Sequence, residues 1–290
     1  MTVDPGFSRD RRRERLFFLG LAAPAIVIVG LSAAVPVLWI LRQSLLTISG
    51  EATFGNYQKI LSSDLTWSSL GVTLALSSST LAICLVLGLP LALALASASR
   101  RVANFALILI MLPLWTSILV RTYGWLVLLR RGGLVNATLS ALGFIDQPLP
   151  LVYNFTGALI GMTHYMLPLF VLPVYAAMRD IDGNVVRAAA SLGAGFWRCV
   201  ATVILPLSAG GIASGSTIVF VYTLGFFITP AVLGGGKVNP IAIRIERTLS
   251  TFQDWSGASA LGMLLLLLVL IAGCAFVAIR RLAGERVRHA

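Results

Sequence analysis

Side chains able to carry out acid–base, nucleophilic or metal chemistry are few and scattered in this 290-residue chain. It has 11 Asp and Glu residues and two His residues, and no carboxylate falls in the middle of a long apolar stretch. The scattered Cys84, Cys199 and Cys274 do not suggest a disulfide framework, and we interpret them as packing residues. The GGGK sequence at 234–237 lacks the complete phosphate-loop pattern. The sequence therefore predicts no catalytic residues, no metal site and no cofactor bound by this chain.

One cation, Arg121, lies inside an apolar and aromatic segment, where a charge is costly and usually faces a cavity, a partner or the interface. Its guanidinium would suit a carboxylate or phosphonate group, whereas the neighbouring aromatic faces could attract a cation. Snorkelling of Arg121 and an interfacial aromatic belt are the alternative interpretations. We predict a substrate path that contains Trp115, Arg121, Tyr123, Trp125, Tyr222 and Phe226.

A second unusual segment, residues 187–211, reads RAAASLGAGFWRCVATVILPLSAGG. Asp182 or Asn184 is a suitable helix N-cap, Gly193 and Gly195 can provide a left-handed stop, and a second helix is expected to run from about Phe196 toward Pro206. The pattern predicts two short helices joined at an elbow across one end of a bundle, with a plain interfacial helix as the alternative. The apolar face expected for the first helix consists of Val185, Val186, Ala189 and Leu192.

The composition of the whole chain is that of a polytopic membrane protein. It is 58% hydrophobic and 11% charged, with a mean hydropathy of +0.91, whereas soluble domains are about 25% charged. A membrane span needs about 20 apolar residues. We predict an all-α protein with six transmembrane helices near 16–41, 68–97, 103–129, 151–178, 206–233 and 257–279. Residues 16–280 would form the transmembrane domain, flanked by a basic terminus at 1–15 and a tail at 281–290.

The net charge of +11 comes largely from arginines beside the apolar stretches. Basic clusters precede the first stretch (RDRRRER), separate the second from the third (Arg100 and Arg101), and follow the sixth (RRLAGERVRH). All three fall on one side of a six-span topology, and such clusters are typical of cytoplasmic loops. We predict cytoplasmic termini, a cytoplasmic elbow and membrane lipid around the spans, rather than binding to nucleic acid.

The elbow resembles the cytoplasmic loop of ABC importer membrane subunits, whose pattern is E-A-A-x3-G-x9-I-x-L-P. Here the corresponding residues are Arg187, Ala188, Ala189, Gly193, Val203, Leu205 and Pro206, with Ala194 and Leu207 fitting the fuller form. Arg187 stands where glutamate is usual, and Val203 replaces isoleucine. The segments PLWTSILVRTYGW and IGMTHYMLPLFVLPVYA extend the resemblance to spermidine/putrescine-type permeases over about residues 54–260.

This resemblance implies a type I ABC importer permease fold in the bacterial inner membrane, in which the loop at 180–206 is the coupling helix. Its partners would be two cytoplasmic ABC ATPase subunits that bind ATP and Mg, a second related permease subunit and a periplasmic substrate-binding protein. The residues expected to contact the ATPase are Arg187, Ala188, Ala189, Leu192, Gly193, Ala194, Leu205 and Pro206.

The substrate implied by the resemblance is a polyamine or a related small amino compound. Relatives of this branch that move γ-aminobutyrate, opines or aminophosphonates leave these substrates as alternatives. A self-sufficient secondary carrier is disfavoured because the spans lack central carboxylates. A membrane scaffold would not need a coupling loop with its complete spacing.

Overall fold

The computed structural model describes residues 5–47 and 50–288, and helices account for most of them. Within these ranges, the one extended pairing joins Leu46 to Ala52. The helices are α1 (Pro5–Ser44), α2 (Gly55–Leu61), α3 (Asp64–Ser97), α4 (Arg100–Trp115), α5 (Ile118–Leu129), α6 (Leu134–Ala141), α7 (Phe155–Arg179), α8 (Gly183–Ser191), α9 (Phe196–Cys199), α10 (Leu205–Leu207), α11 (Ala209–Leu224), α12 (Ile228–Leu233), α13 (Ile241–Ser250) and α14 (Trp255–Arg288), with a π-helical segment (Val200–Ile204) between α9 and α10.

Four segments are long and apolar enough to cross a membrane by themselves: Gly20–Ser44, Asp64–Ser97, Phe155–Arg179 and Trp255–Ala278. Two further spans are obtained if each of two bent helix pairs counts as one. The all-helical polytopic prediction is therefore confirmed, with four to six spans.

The predicted spans at 103–129 and 206–233 are not continuous helices. In the first, α4 meets the following segment at 99°, because Thr116 and Ser117 are extended just after Pro113 in the last turn of α4. In the second, α9–α10 meets α11 at 69°, and α11 itself ends at Gly225 before the short α12. Hydropathy alone cannot register such breaks, since it counts apolar residues without regard to backbone direction.

The core lies where α3, α7 and α11 pack together. The Phe170 side chain of α7 is fully buried because glycines on both neighbours let it approach. A Cβ on Gly88 would clash with the Phe170 ring, and a Cβ on Gly215 would lie 2.9 Å from the Phe170 carbonyl. At Gly211 a Cβ would meet Ala177 and the Pro173 carbonyl. The four-residue spacing of Gly211 and Gly215 thus lets α11 pack closely against α7.

The bundle has two distinguishable ends. The Arg179 Nη1 atom at the end of α7 donates 2.7 Å to the Ala96 carbonyl at the end of α3, so these helices run parallel and the elbow that follows α7 lies at this end, the elbow end. The 34 residues of α3 span about 50 Å. At its start, the far end, Ser63 accepts a hydrogen bond from Arg244.

Candidate functional site

The elbow at 182–206 begins with a capped helix. The Asp182 Oδ1 atom accepts 2.9 Å from the Asn184 backbone N–H at the start of α8. Hydrogen bonds from the Asn184 backbone and side chain, together with the charge of Arg187, hold the pKa of Asp182 below its usual value. After α8, Gly193 adopts φ +84°, a conformation that side chains disfavour. Both the Asp182 cap and the left-handed stop at Gly193 agree with the sequence prediction.

The outer surface of the elbow is apolar, and the predicted apolar face of the first helix is divided between the bundle and this surface. Val186 and Ala189 are half-buried, but Leu192 is 90% exposed. Phe196 and Trp197 are 62% and 77% exposed, and their rings meet edge to face with centroids 5.1 Å apart. Only part of the predicted apolar face is covered because the bundle touches one side of this short helix. The rest forms an exposed apolar tip.

The second arm of the elbow differs from prediction at its start. Gly195 has φ −65° and serves as the N-cap of α9, so it does not supply a left-handed stop. The π-helical segment then leads directly into Leu205 and Pro206. A proline lacks an N–H and its ring crowds the carbonyl four residues earlier. The wider turn accommodates Pro206 and lets the arm continue toward α11.

The remaining predicted coupling residues surround this tip. The Arg187 side chain is exposed, and its Nη2 atom donates 2.7 Å to Asn184 Oδ1 within α8. The guanidinium is therefore directed along its own helix. Ala188 and Pro206 are exposed, whereas Ala194 and Leu205 are half-buried. Arg187 also lines a cavity of about 420 Å³ beneath the elbow, whose wall includes Ala96, Met178, Arg179, Val186 and Ile204.

A second constellation, the Arg121 cluster, joins α5, α7 and α11. It consists of Arg121, Tyr165, Tyr222 and Phe226. The Arg121 Cζ atom lies 4.3 Å from the Tyr165 ring centroid, and Arg121 Nη1 donates to the Pro113 carbonyl beside the break in the bent pair. The Tyr165 ring is 5.6 Å from Phe226 and 6.0 Å from Tyr222, measured between centroids. A single cation is therefore held against an aromatic wall.

Three of the six predicted path residues enter this cluster, namely Arg121, Tyr222 and Phe226. Trp125 lies beside it and donates 3.1 Å from Nε1 to His164 Nδ1. Trp115 and Tyr123 are 85% and 54% exposed, and within the described ranges neither makes a hydrogen bond or ring contact. The structure thus does not bring the predicted residues together as one path.

Comparison with known proteins decides the family. Residues 85–284 match the family described as binding-protein-dependent transport system inner membrane component. The chain belongs to this family. The permease is accordingly a multi-pass inner-membrane protein and a subunit of a transport system.

Curated relatives of the permease share about a third of aligned residues. The chain is 33% identical to the spermidine/putrescine transport system permease protein PotB of Haemophilus influenzae, over 57% of this chain and 58% of that protein. It is 30% identical to PotB of Escherichia coli, over 64% of this chain and 68% of that protein. The matches thus span between about half and two thirds of these relatives' length.

The fold of the permease agrees with a solved transporter. A crystal structure of a bacterial alginate ABC transporter, in complex with its alginate pentasaccharide-bound periplasmic protein, matches with a TM-score of 0.72 at 18% identity. The match covers 95% of this chain and 97% of that one. The predicted type I ABC importer permease fold is thereby confirmed.

Sequence reasoning missed two members of the aromatic region. Tyr165 carries the contact with Arg121, and His164 accepts from Trp125, yet both were absent from the predicted path. Their signal was their position beside one another in the α7 segment IGMTHYML. Identifying Tyr165 would have required knowing which side of α7 faces α5, and an apolar helix with almost no polar face does not reveal this.

Proposed function

We propose that this chain is the transmembrane permease subunit of an ATP-driven importer and forms half of a translocation path for polyamines. The elbow at 182–206 would seat on a cytoplasmic ATPase subunit and transmit its closure to the spans. The observation that carries this proposal is the exposed apolar tip of Leu192, Phe196 and Trp197 beside the left-handed Gly193. Exposed apolar groups of this kind mark interaction sites.

The coupling role of the individual elbow residues is a proposal supported by this geometry. Leu192 and Trp197 would enter an apolar groove on the ATPase, and Gly193 would fix the angle between the two arms. Glutamate is usual at the position of Arg187. Because Arg187 reverses that charge, it would face an Asp or Glu of the ATPase. In the free chain, Asn184 already holds this guanidinium, so docking would exchange one acceptor for another.

The substrate class rests on the relatives, two of which are named as spermidine/putrescine permeases. Within the Arg121 cluster, the rings of Tyr222 and Phe226 do not hold the guanidinium and would offer aromatic faces to a cationic substrate. Arg121 itself is engaged by the Pro113 carbonyl and the Tyr165 ring. A free guanidinium was one reason for considering γ-aminobutyrate, opines or aminophosphonates, beside the substrates of related permeases, and that one reason is weakened.

The proposed assembly contains two ABC ATPase subunits that hold ATP and Mg, a second related permease and a periplasmic binding protein. The elbow end would be cytoplasmic, together with both termini. Arg100, Arg101, Arg179, Arg187 and Arg198 lie at this end, and the excess of arginine on the cytoplasmic side is the usual pattern.

The test is ATPase activity of the co-purified complex in lipid nanodiscs, with and without the binding protein and a panel of polyamines, amino acids and aminophosphonates. We expect stimulation by the binding protein loaded with one polyamine. Stimulation by an amino acid or aminophosphonate alone would reject the substrate class. Failure of any ATPase to co-purify would reject the importer and favour a secondary carrier.

The Leu192→Gln variant tests the elbow directly. Because this side chain is 90% exposed, the change should leave thermal stability unaltered while reducing ATPase retention and stimulated turnover. Leu134→Gln is the matched control, since Leu134 is also exposed but lies outside the elbow. Equal behaviour of the two variants would contradict the coupling proposal.

A further inference from the structure

A cavity of about 450 Å³ lies at the far end of the bundle, between α2, α13 and the start of α14. We call it the far-end cavity. Its polar lining consists of Asn56, Lys59, Ser63, Arg244, Thr248 and Asp254. A smaller cavity of about 250 Å³ shares Arg244, Thr248 and Phe252. Arg244 therefore stands in the wall between two adjoining spaces.

The cations of the far-end cavity have few internal partners. Arg244 is half-buried and donates 3.1 Å to the Ser63 hydroxyl. Burial lowers its pKa, and no charged group in the described part of the chain offsets that effect. The Lys59 ammonium group makes no hydrogen bond or ion pair within the described ranges. Guanidinium N–H groups, an ammonium and the Ser63 proton thus remain available to an acceptor.

The single carboxylate in the lining offsets only one of the two positive charges. Asp254 Oδ1 accepts 2.8 Å from the Gly257 backbone N–H and caps α14. Asn56 is also occupied, because its amide donates to the Ser44 and Leu46 carbonyls. The cavity consequently carries a net positive charge, which suits an anion with several oxygen acceptors and would repel a polyamine.

The cavity lies at the level of a membrane surface. Trp67 is 57% exposed near the start of α3, and Trp255 is 52% exposed at the start of α14. Trp39, near the end of α1, meets Trp255 edge to face at 6.3 Å. Tryptophans gather at headgroup depth, and the 70% exposed ring of Phe252 adds an apolar rim. An anionic lipid whose headgroup entered this cavity from the bilayer would keep its acyl chains beside exposed apolar helices.

We propose that the far-end cavity binds the phosphate group of an anionic phospholipid through Arg244 and Lys59. The two cations and the Ser63 hydroxyl are suited to phosphate oxygens, and the level of the cavity favours a lipid over free phosphate. Bound lipid would bridge the polar sides of α2 and α13, two short helices whose apolar sides already share a cluster through Ile60 and Ile241. This site is independent of the proposed substrate and of the elbow.

The experiment uses the purified permease complex in nanodiscs of phosphatidylcholine with or without phosphatidylglycerol, followed by native mass spectrometry of retained lipid. We expect saturable retention of phosphatidylglycerol. Loss of one cation, in Lys59→Gln or Arg244→Gln, should weaken retention about fivefold, and the double variant about thirtyfold. Arg244→Lys should restore most of the binding if charge is what the site supplies.

The control is the double variant Arg130→Gln/Arg131→Gln, which removes two exposed arginines that do not line the cavity. Retention that is equal in the wild type and the Lys59→Gln/Arg244→Gln variant would overturn the proposal. So would an equal loss in the control. Complete competition by inorganic phosphate, without lipid enrichment, would reject the lipid as the source of the anion. Retained lipid together with lost stimulation by the binding protein would instead assign these cations to protein docking.

Discussion

The contact between Arg121 and Tyr165 should contribute measurably to the stability of the permease. Arg121→Gln removes both the cation over the Tyr165 ring, 4.3 Å from its centroid, and a charged hydrogen bond to Pro113. A cation–π contact is worth about 0.5–2 kcal/mol and a hydrogen bond to a charged group about 1.5–3 kcal/mol. We expect the free energy of unfolding to fall by about 2–5 kcal/mol.

A double-mutant cycle separates these two contributions. Tyr165→Leu removes the ring but leaves the hydrogen bond to Pro113, so the two substitutions should share only the cation–π energy. We expect a coupling energy of about 1 kcal/mol, since Arg121 is half-buried and the lower part of the range applies to partly solvated pairs. The assay is denaturant-driven unfolding of the purified permease, followed by tryptophan fluorescence.

The control cycle pairs Arg121→Gln with Tyr123→Leu. Tyr123 is two residues away and 54% exposed, and residues at this spacing do not face each other on a helix. Its coupling with Arg121 should be close to zero. A coupling energy for Arg121 and Tyr165 that is no larger than this control would refute the assignment of Arg121 to an internal aromatic contact. It would also restore Arg121 as a candidate ligand for a substrate carboxylate.

Three further changes have defined outcomes. Gly193→Ser should lower the stimulated ATPase turnover, because it forces a side chain into the elbow at φ +84°. Gly195→Ser should be tolerated, because serine suits an N-cap. Equal turnover of the two variants would contradict this. Gly88→Val should lower the melting temperature and protein yield by driving a side chain into the Phe170 ring, a cost of about 1–3 kcal/mol or more; unchanged melting would show that α3 and α7 do not pack in this way. The pKa of Asp182 is lowered, so its cap on α8 should persist at any pH above the ordinary Asp pKa of about 3.9 and be lost as the pH falls below that value. The measurement is hydrogen exchange of the α8 amides as a function of pH. Protection that weakens already at neutral pH would contradict this prediction.

The sequence predicted those parts of the fold that depend on local chemistry. Asp182 and Gly193 are capping residues whose short-range geometry requires no knowledge of neighbours, and both are used as expected. The spacing of Gly211 and Gly215 is a signal of the same kind, because close helix packing demands small side chains. Hydropathy likewise identified the apolar stretches, since how well each side chain suits the bilayer does not depend on which helices lie beside it.

What the sequence could not predict depends on which sides of the helices meet. Leu192 has the spacing of a buried face but is 90% exposed, because only the bundle's edge reaches α8. Tyr165 is one aromatic residue among many in α7, and its contact with Arg121 follows from the placement of α5 after the 99° bend. The bend depends on extended backbone at two residues, and average apolar content carries no information about it.

The position of α1 has a consequence for how the protein is made. None of its apolar window is buried within the chain, and the Trp39 ring meets Trp255 at the start of α14. These partners are roughly 200 residues apart, so at about 5–20 residues per second the ribosome needs roughly 10–40 s to deliver the second after the first. Throughout that interval α1 must wait in the bilayer without its partner. The apolar part of α1 is thus packed only after α14 has been made, and a chain arrested before α14 would leave α1 without this partner.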